Sequence, residues 1–77
     1  MMARPRPKLF KKDRMRIYRR DDFLCQNPDC GVEVLLRAPH DHPRKATLDH
    51  VVRFRAGGAT WDDNLRTYCN RCNQERG

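Results

Sequence analysis

The amino-acid sequence predicts a small α+β domain with an N-terminal helix, held together by a four-cysteine zinc site. Three observations carry that expectation. The chain has 77 residues, too few to bury the apolar surface that offsets the conformational entropy of folding, so a staple is required. Only 38% of the residues are hydrophobic against 35% charged, which makes the core thin. The four cysteines fall into two close pairs, Cys25 with Cys30 (C-x4-C) and Cys69 with Cys72 (C-x2-C), with 38 residues between the pairs. A turn inside each pair brings both sulfurs to one side. Two such pairs supply the closed tetrahedral thiolate set of a structural zinc, with no coordination position left for a substrate.

Two disulfides would use the same four residues. The N-terminus MMARPRPKLFKK, however, has neither an apolar signal core nor a small-residue cleavage site, so the expected compartment is a reducing cytoplasm. There thiols bind metal more often than they pair. A redox role for the C-x2-C pair would need a βαβ pattern around it, and none is present. His40 and His42 lie between Pro39 and Pro43 and are left outside the metal set. No stretch approaches the roughly 20 apolar residues that cross a bilayer, so no membrane partner is expected.

The elements follow in order. Residues 1–9, with Pro5 and Pro7 among basic residues, read as a flexible arm, and residues 10–77 as the domain. Residues 10–22 contain no Pro or Gly, and Met15, Ile17, Tyr18 and Phe23 furnish an apolar side for a short helix. Asn27, Pro28 and Asp29 are turn formers that fold the chain back between the first two cysteines. Residues 32–37 (VEVLLR) read as a strand, and the two prolines that follow exclude regular structure. Residues 46–54 (ATLDHVVRF) are the best strand candidate, with β-branched and apolar residues around the polar pair Asp49-His50. Gly57 and Gly58 mark a loop, Trp61 and Leu65 anchor the next segment to the core, and residues 70–77 form a short helix. No internal repeat is present.

The balance of 17 Lys+Arg against 10 Asp+Glu gives a formal charge of +7. On so small a domain that excess points to a polyanion, through attraction to phosphates and release of counterions. Charge names the partner but not the chemistry.

The chemistry comes from the segments LDHVVRFRAGGATWDDNLRTYC and NRCNQERG, with RRDDFLCQNPDC leading in. Residues 19–77 resemble the HNH endonuclease family, whose core is the ββα-metal fold. The resemblance rests on Asp49-His50, Gly57-Gly58, Asn64-Leu65 and Asn73 inside the two cysteine knuckles. Thirteen residues separate His50 from Asn64, and eight separate Asn64 from Asn73. It implies a DNA-cutting enzyme in which His50 is the general base and Asp49 and Asn73 hold a catalytic Mg2+ or Mn2+. Asn64 would bond loop backbone and keep His50 in its working orientation. Settings such as phage or mobile-element DNA processing are implied with it. Two features depart from the usual pattern: the last motif position is Asn73 rather than His, and the first cysteine pair is spaced by four residues.

The physical logic stands beside the resemblance. Phosphodiester cleavage needs a nucleophile, neutralisation of charge on the phosphorane and stabilisation of the leaving oxygen, and a hard divalent ion serves the last two. An imidazole can take the proton from water at neutral pH. On a regular strand His50 and Asp49 point to opposite faces, so both reach one phosphate only where the strand ends or twists. Arg53, Arg66, Arg71 and Arg76 are candidate phosphate contacts. One ion and one base cut one strand, so duplex breakage would need two nicks or a homodimer, and a larger parent protein or a partner would supply targeting. The alternative is a non-catalytic basic zinc ribbon that grips nucleic acid without cutting it.

Overall fold

The computed structural model describes residues 10–52, 57 and 62–76. Its elements, in chain order, are α1 (Lys11–Arg20), β1 (Ala46–His50), a 3-10 turn (Asp62–Asn64), β2 (Leu65–Cys69) and α2 (Asn70–Arg76). Helix α1 starts where Phe10, still extended, donates its backbone N–H to the carboxylate of Asp13 at 3.0 Å. This is the reach-back half of a capping box. Asp13 in the first turn and Arg19 and Arg20 in the last complement the helix dipole. Only Ile17 and Tyr18 of α1 are buried, with Met15 packed partly against the core.

After α1 the chain reverses through Asp22 and Phe23, both left-handed (φ 55° and 57°), and enters the first cysteine pair. The turn leaves residues 20–26 lying along the free edge of β2. Arg20 Nη2 donates to Leu65 O at 2.6 Å, Thr67 N–H donates to Asp21 Oδ2 at 2.9 Å, and Gln26 N–H donates to Thr67 O at 2.9 Å. Burial pushes the Asp21 carboxyl up. The bonds from Arg20 and Thr67 outweigh that and hold it below the usual carboxylate range. Asp21→Asn is therefore expected to destabilise the fold by about 1.5–3 kcal/mol, the usual worth of a hydrogen bond to a charged group. Because the folded carboxyl titrates lower than the unfolded one, this contribution is complete above about pH 4 and fades as pH falls below it. Paired urea melts of wild type and variant at pH 7 and pH 3 would show the gap closing in acid.

Strands β1 and β2 form a two-stranded antiparallel sheet, with Ala46 opposite Cys69, Asp49 opposite Arg66 and His50 opposite Leu65. Two sequence expectations change here. The predicted strand at 32–37 is an extended connector with isolated bridges only, Leu24 to Glu33 and Leu35 to Lys45. The left-handed Gly31 before it and the proline loop after it restrict its pairing to single bridges, although Val34 is buried. The second strand is instead Leu65–Cys69, and β1 ends at His50, short of the expected 54. Residues 53–56, Trp61 and the arm at 1–9 lie outside the described residues.

The outward-facing carbonyls and N–H groups of Leu65 and Thr67 fix the pairing pattern. Their opposite numbers, His50 and Leu48, must turn their backbone groups to the far edge of β1. Helix α2 meets them there. Asn73 Nδ2 donates to Leu48 O at 3.2 Å and to Thr47 Oγ1 at 2.9 Å, and Arg76 Nη2 donates to His50 O at 3.1 Å. At its other end α2 holds the proline loop, through Asn70 Nδ2 to His40 O and His42 O and through Arg71 N–H to Pro43 O. The buried core is small: Ile17, Tyr18, Val34, Ala46, Leu65, Tyr68 and three of the cysteines.

Candidate metal clamp and strand-end site

Cys25 and Cys30 flank a turn built on Asn27. Its Oδ1 accepts the Asp29 N–H at 3.1 Å, and its carbonyl accepts the N–H groups of Cys30 and Gly31. Cys69 ends β2 and Cys72 sits in the first turn of α2, so the strand-to-helix junction delivers both sulfurs together. All four ligand atoms lie within 4.8 Å of one another, and the four cysteines are positioned to bind one metal ion. Donors are already aimed at the sulfurs. Asn27 Nδ2 lies 3.4 Å from Cys72 Sγ, and Cys72 N–H lies 3.4 Å from Cys69 Sγ. Burial pushes the Cys69 thiol up to about 12 and raises Cys25 as well. At Cys72 burial acts the same way, but the bonds from Asn27 and the neighbouring cysteines win and lower it. Buried sulfurs this close resist ionising together unless a cation joins them. His40 is exposed, and His42 uses Nδ1 to accept the Arg44 N–H at 3.0 Å.

The second constellation lies where β1 ends. Asp49 is 6% exposed and carries two arginines: Arg66 Nε on Oδ2 at 2.9 Å and Arg76 Nε on Oδ1 at 3.2 Å. Arg66 is the direct cross-strand partner of Asp49, and its guanidinium also stacks on the Tyr68 ring, 4.5 Å from the centroid. Asn64 closes the neck of the loop that follows His50. Its carbonyl accepts the Val51 N–H at 2.9 Å, its Oδ1 accepts the Val52 N–H at 2.8 Å, and its Nδ2 donates to Val52 O at 3.0 Å. Gly57, left-handed at φ 90°, turns the chain within that loop. Asn73 commits its amide nitrogen to Thr47 and Leu48. Leu48 O can only accept, so the amide is oriented with its oxygen turned away from the strand.

Of the residues singled out from sequence, Asp49 and Asn73 both face the α2 side of β1. His50 is on the opposite face, as strand alternation requires, and lines a groove between β1 and α1 with Lys11, Arg14 and Arg37. Asn64 is bonded to the backbone directly beyond His50. Arg66 and Arg76 turn inward to Asp49, and Arg71 is exposed beside Glu75 at 3.9 Å. Arg53 and Gly58 lie outside the described residues. Sequence reasoning missed Thr47 as the support for Asn73, and the flanking of Asp49 by two arginines. The Arg76 contact had a readable signal, since Arg76 follows Asn73 by three positions on one helix. The Arg66 contact had none without the β2 register.

Two short antiparallel strands, a helix along their edge, a four-cysteine clamp and an Asp-His pair at the strand end define a small ββα domain of the metal-clamped class. The family model for HNH endonuclease matches residues 25–77, and the chain belongs to that family, one of endonucleases that act on nucleic acid. No curated protein and no solved structure matches the chain. Helix α1 precedes the matched stretch. Among the described residues no helix is long and apolar enough to cross a membrane.

Proposed function

We propose that the protein is a divalent-metal-dependent DNA endonuclease that nicks one strand per engagement, with His50 as general base and a structural zinc at Cys25, Cys30, Cys69 and Cys72. The observation that carries the reading is the clasp of Asn64 on Val51 and Val52. It fixes the backbone one and two residues beyond His50, inside the stretch that matches the family.

The thiolate set suits zinc, whose bonds to sulfur of about 2.3 Å put tetrahedral ligands roughly 3.8 Å apart, inside the 4.8 Å within which the four atoms stand. The catalytic site suits a harder ion. Asp49 would offer a carboxylate oxygen in exchange for one of its two arginine contacts, and Asn73 an amide oxygen, an all-oxygen donor set appropriate to Mg2+ or Mn2+. Bound there, the ion would neutralise the phosphorane and stabilise the leaving oxygen. The imidazole of His50 takes the proton from the attacking water, and Asn64 holds the chain that presents it. Arg66 and Arg76 hold the Asp49 carboxylate in its orientation.

Supercoiled plasmid incubated with the purified protein tests this directly. Conversion to open circles with added Mg2+ or Mn2+, and none without, is the expected outcome. The pairing of Asp49 with two guanidinium groups favours one rival, a basic zinc ribbon that binds nucleic acid without cutting it. DNA that is shifted in a gel but stays supercoiled with either ion would establish the rival. Asn64→Ala removes both side-chain bonds to Val52 and is expected to slow nicking by about 10- to 100-fold, the rate equivalent of 1–3 kcal/mol of lost positioning, with plasmid affinity unchanged. Single-turnover rates and gel-shift titrations of the same samples separate the two quantities.

A further inference from the structure

Lys11, Arg14, Met15 and Tyr18 stand at i, i+3, i+4 and i+7 and form one stripe of α1. Facing them is the side of β1 that carries Ala46, Leu48 and His50. Between the two runs an open groove of about 830 Å³, with Met15 and Leu48 in its lining. Among the described residues five cations surround it, Lys11, Arg14, Arg19, Arg37 and Lys45, and no carboxylate lines it.

The pairing of arginines sharpens the point. Arg16, Arg20, Arg44, Arg66, Arg71 and Arg76 each reach an Asp or Glu. Among the described residues, Arg14, Arg19 and Arg37 are in no such pair, and all three line this groove. Cations gathered without counter-charges repel one another, an arrangement that a polyanion relieves. Helix α1 also lies before the residues that match the family, so this wall is not part of the matched motif.

We infer that the groove between α1 and β1 seats the backbone of one strand of duplex DNA, its phosphates held by Lys11, Arg14, Arg19, Arg37 and Lys45 and led to His50. The inference rests on the nuclease reading for the identity of the polymer. Lys11 and Arg19 are about 12 Å apart along the helix. Three to four nucleotides of a stacked strand, at about 3.4 Å each, cover that length. Contacts of this kind set register on the backbone and carry no base readout, so binding is expected to be indifferent to sequence.

Fluorescence anisotropy with a labelled 20-base-pair duplex, without divalent ions so that nothing is cut, tests the assignment between 50 and 200 mM salt. Arg14→Gln with Arg37→Gln is expected to weaken binding at least tenfold and to lower the slope of log K against log salt by about 2. Arg14→Lys with Arg37→Lys should restore the slope, whereas Arg44→Gln, at a residue paired with Glu33 outside the groove, should leave it within half a unit. An unchanged slope in the glutamine pair, or a loss that falls on Arg44→Gln instead, overturns the assignment. The two readings fail separately. A protein that never nicks plasmid but loses its duplex affinity in the glutamine pair keeps the groove and loses the nuclease. One that nicks and binds equally well in wild type and in the glutamine pair keeps the nuclease and loses the groove.

Discussion

With His50 replaced by alanine, the protein is expected to bind plasmid as before and to nick it two to four orders of magnitude more slowly, the range that a positioned general base contributes. The substitution leaves the formal charge unchanged with His neutral, so phosphate attraction is retained. Its backbone carbonyl still accepts the bond from Arg76, so the seam between β1 and α2 persists. His50 is half-buried at the last position of β1 rather than in the core, which makes loss of fold an unlooked-for result. Single-turnover nicking at saturating protein isolates the chemical step. A variant that cuts at the wild-type rate would remove His50 from the chemistry, and the Asn64 clasp would then be no more than a loop closure.

The second large effect concerns the four cysteines. Structural zinc contributes roughly 10–16 kcal/mol in zinc-finger peptides, comparable to or larger than the whole stability of a small domain. Cys69→Ser, at a position 2% exposed where β2 passes into α2, is expected to abolish cooperative melting at 25 °C. Stripping the metal from wild type should do the same, and restoring zinc should reverse it with one ion taken up per chain. Circular dichroism followed through chelation and re-addition supplies the measurement. A cooperative transition that survives chelation with its midpoint unmoved would show that the thin core stands without the clamp.

How much of this was legible in the sequence depended on the distance over which each signal acts. The clamp was legible because each cysteine pair is bridged by its own turn, and turn residues such as Asn27 and Gly31 declare themselves locally. Helix α1 was legible for a similar reason, an unbroken stretch without Pro or Gly. The second strand was not. Leu65–Cys69 is five residues long, and what makes it a strand is a ladder to β1 on one edge and bonds from residues 20–26 on the other, neither of which is encoded within it. Residues 32–37 fail in the opposite sense, since an apolar run suits an extended connector as well as a strand and only the neighbouring chain decides. The positions of Asp49, His50, Asn64 and Asn73 were readable through resemblance. The arginines on Asp49 follow from a register that no local pattern states.

Both rims of the two-stranded sheet are already spoken for, one by residues 20–26 and the other by Asn73 and Arg76. A small sheet with a bare rim invites another copy to add a strand, the first step toward fibres. Here the same contacts that orient the strand end already occupy the outward carbonyls of Leu48 and His50, which such an addition would need. A concentrated solution of the folded protein should accordingly resist cross-β assembly.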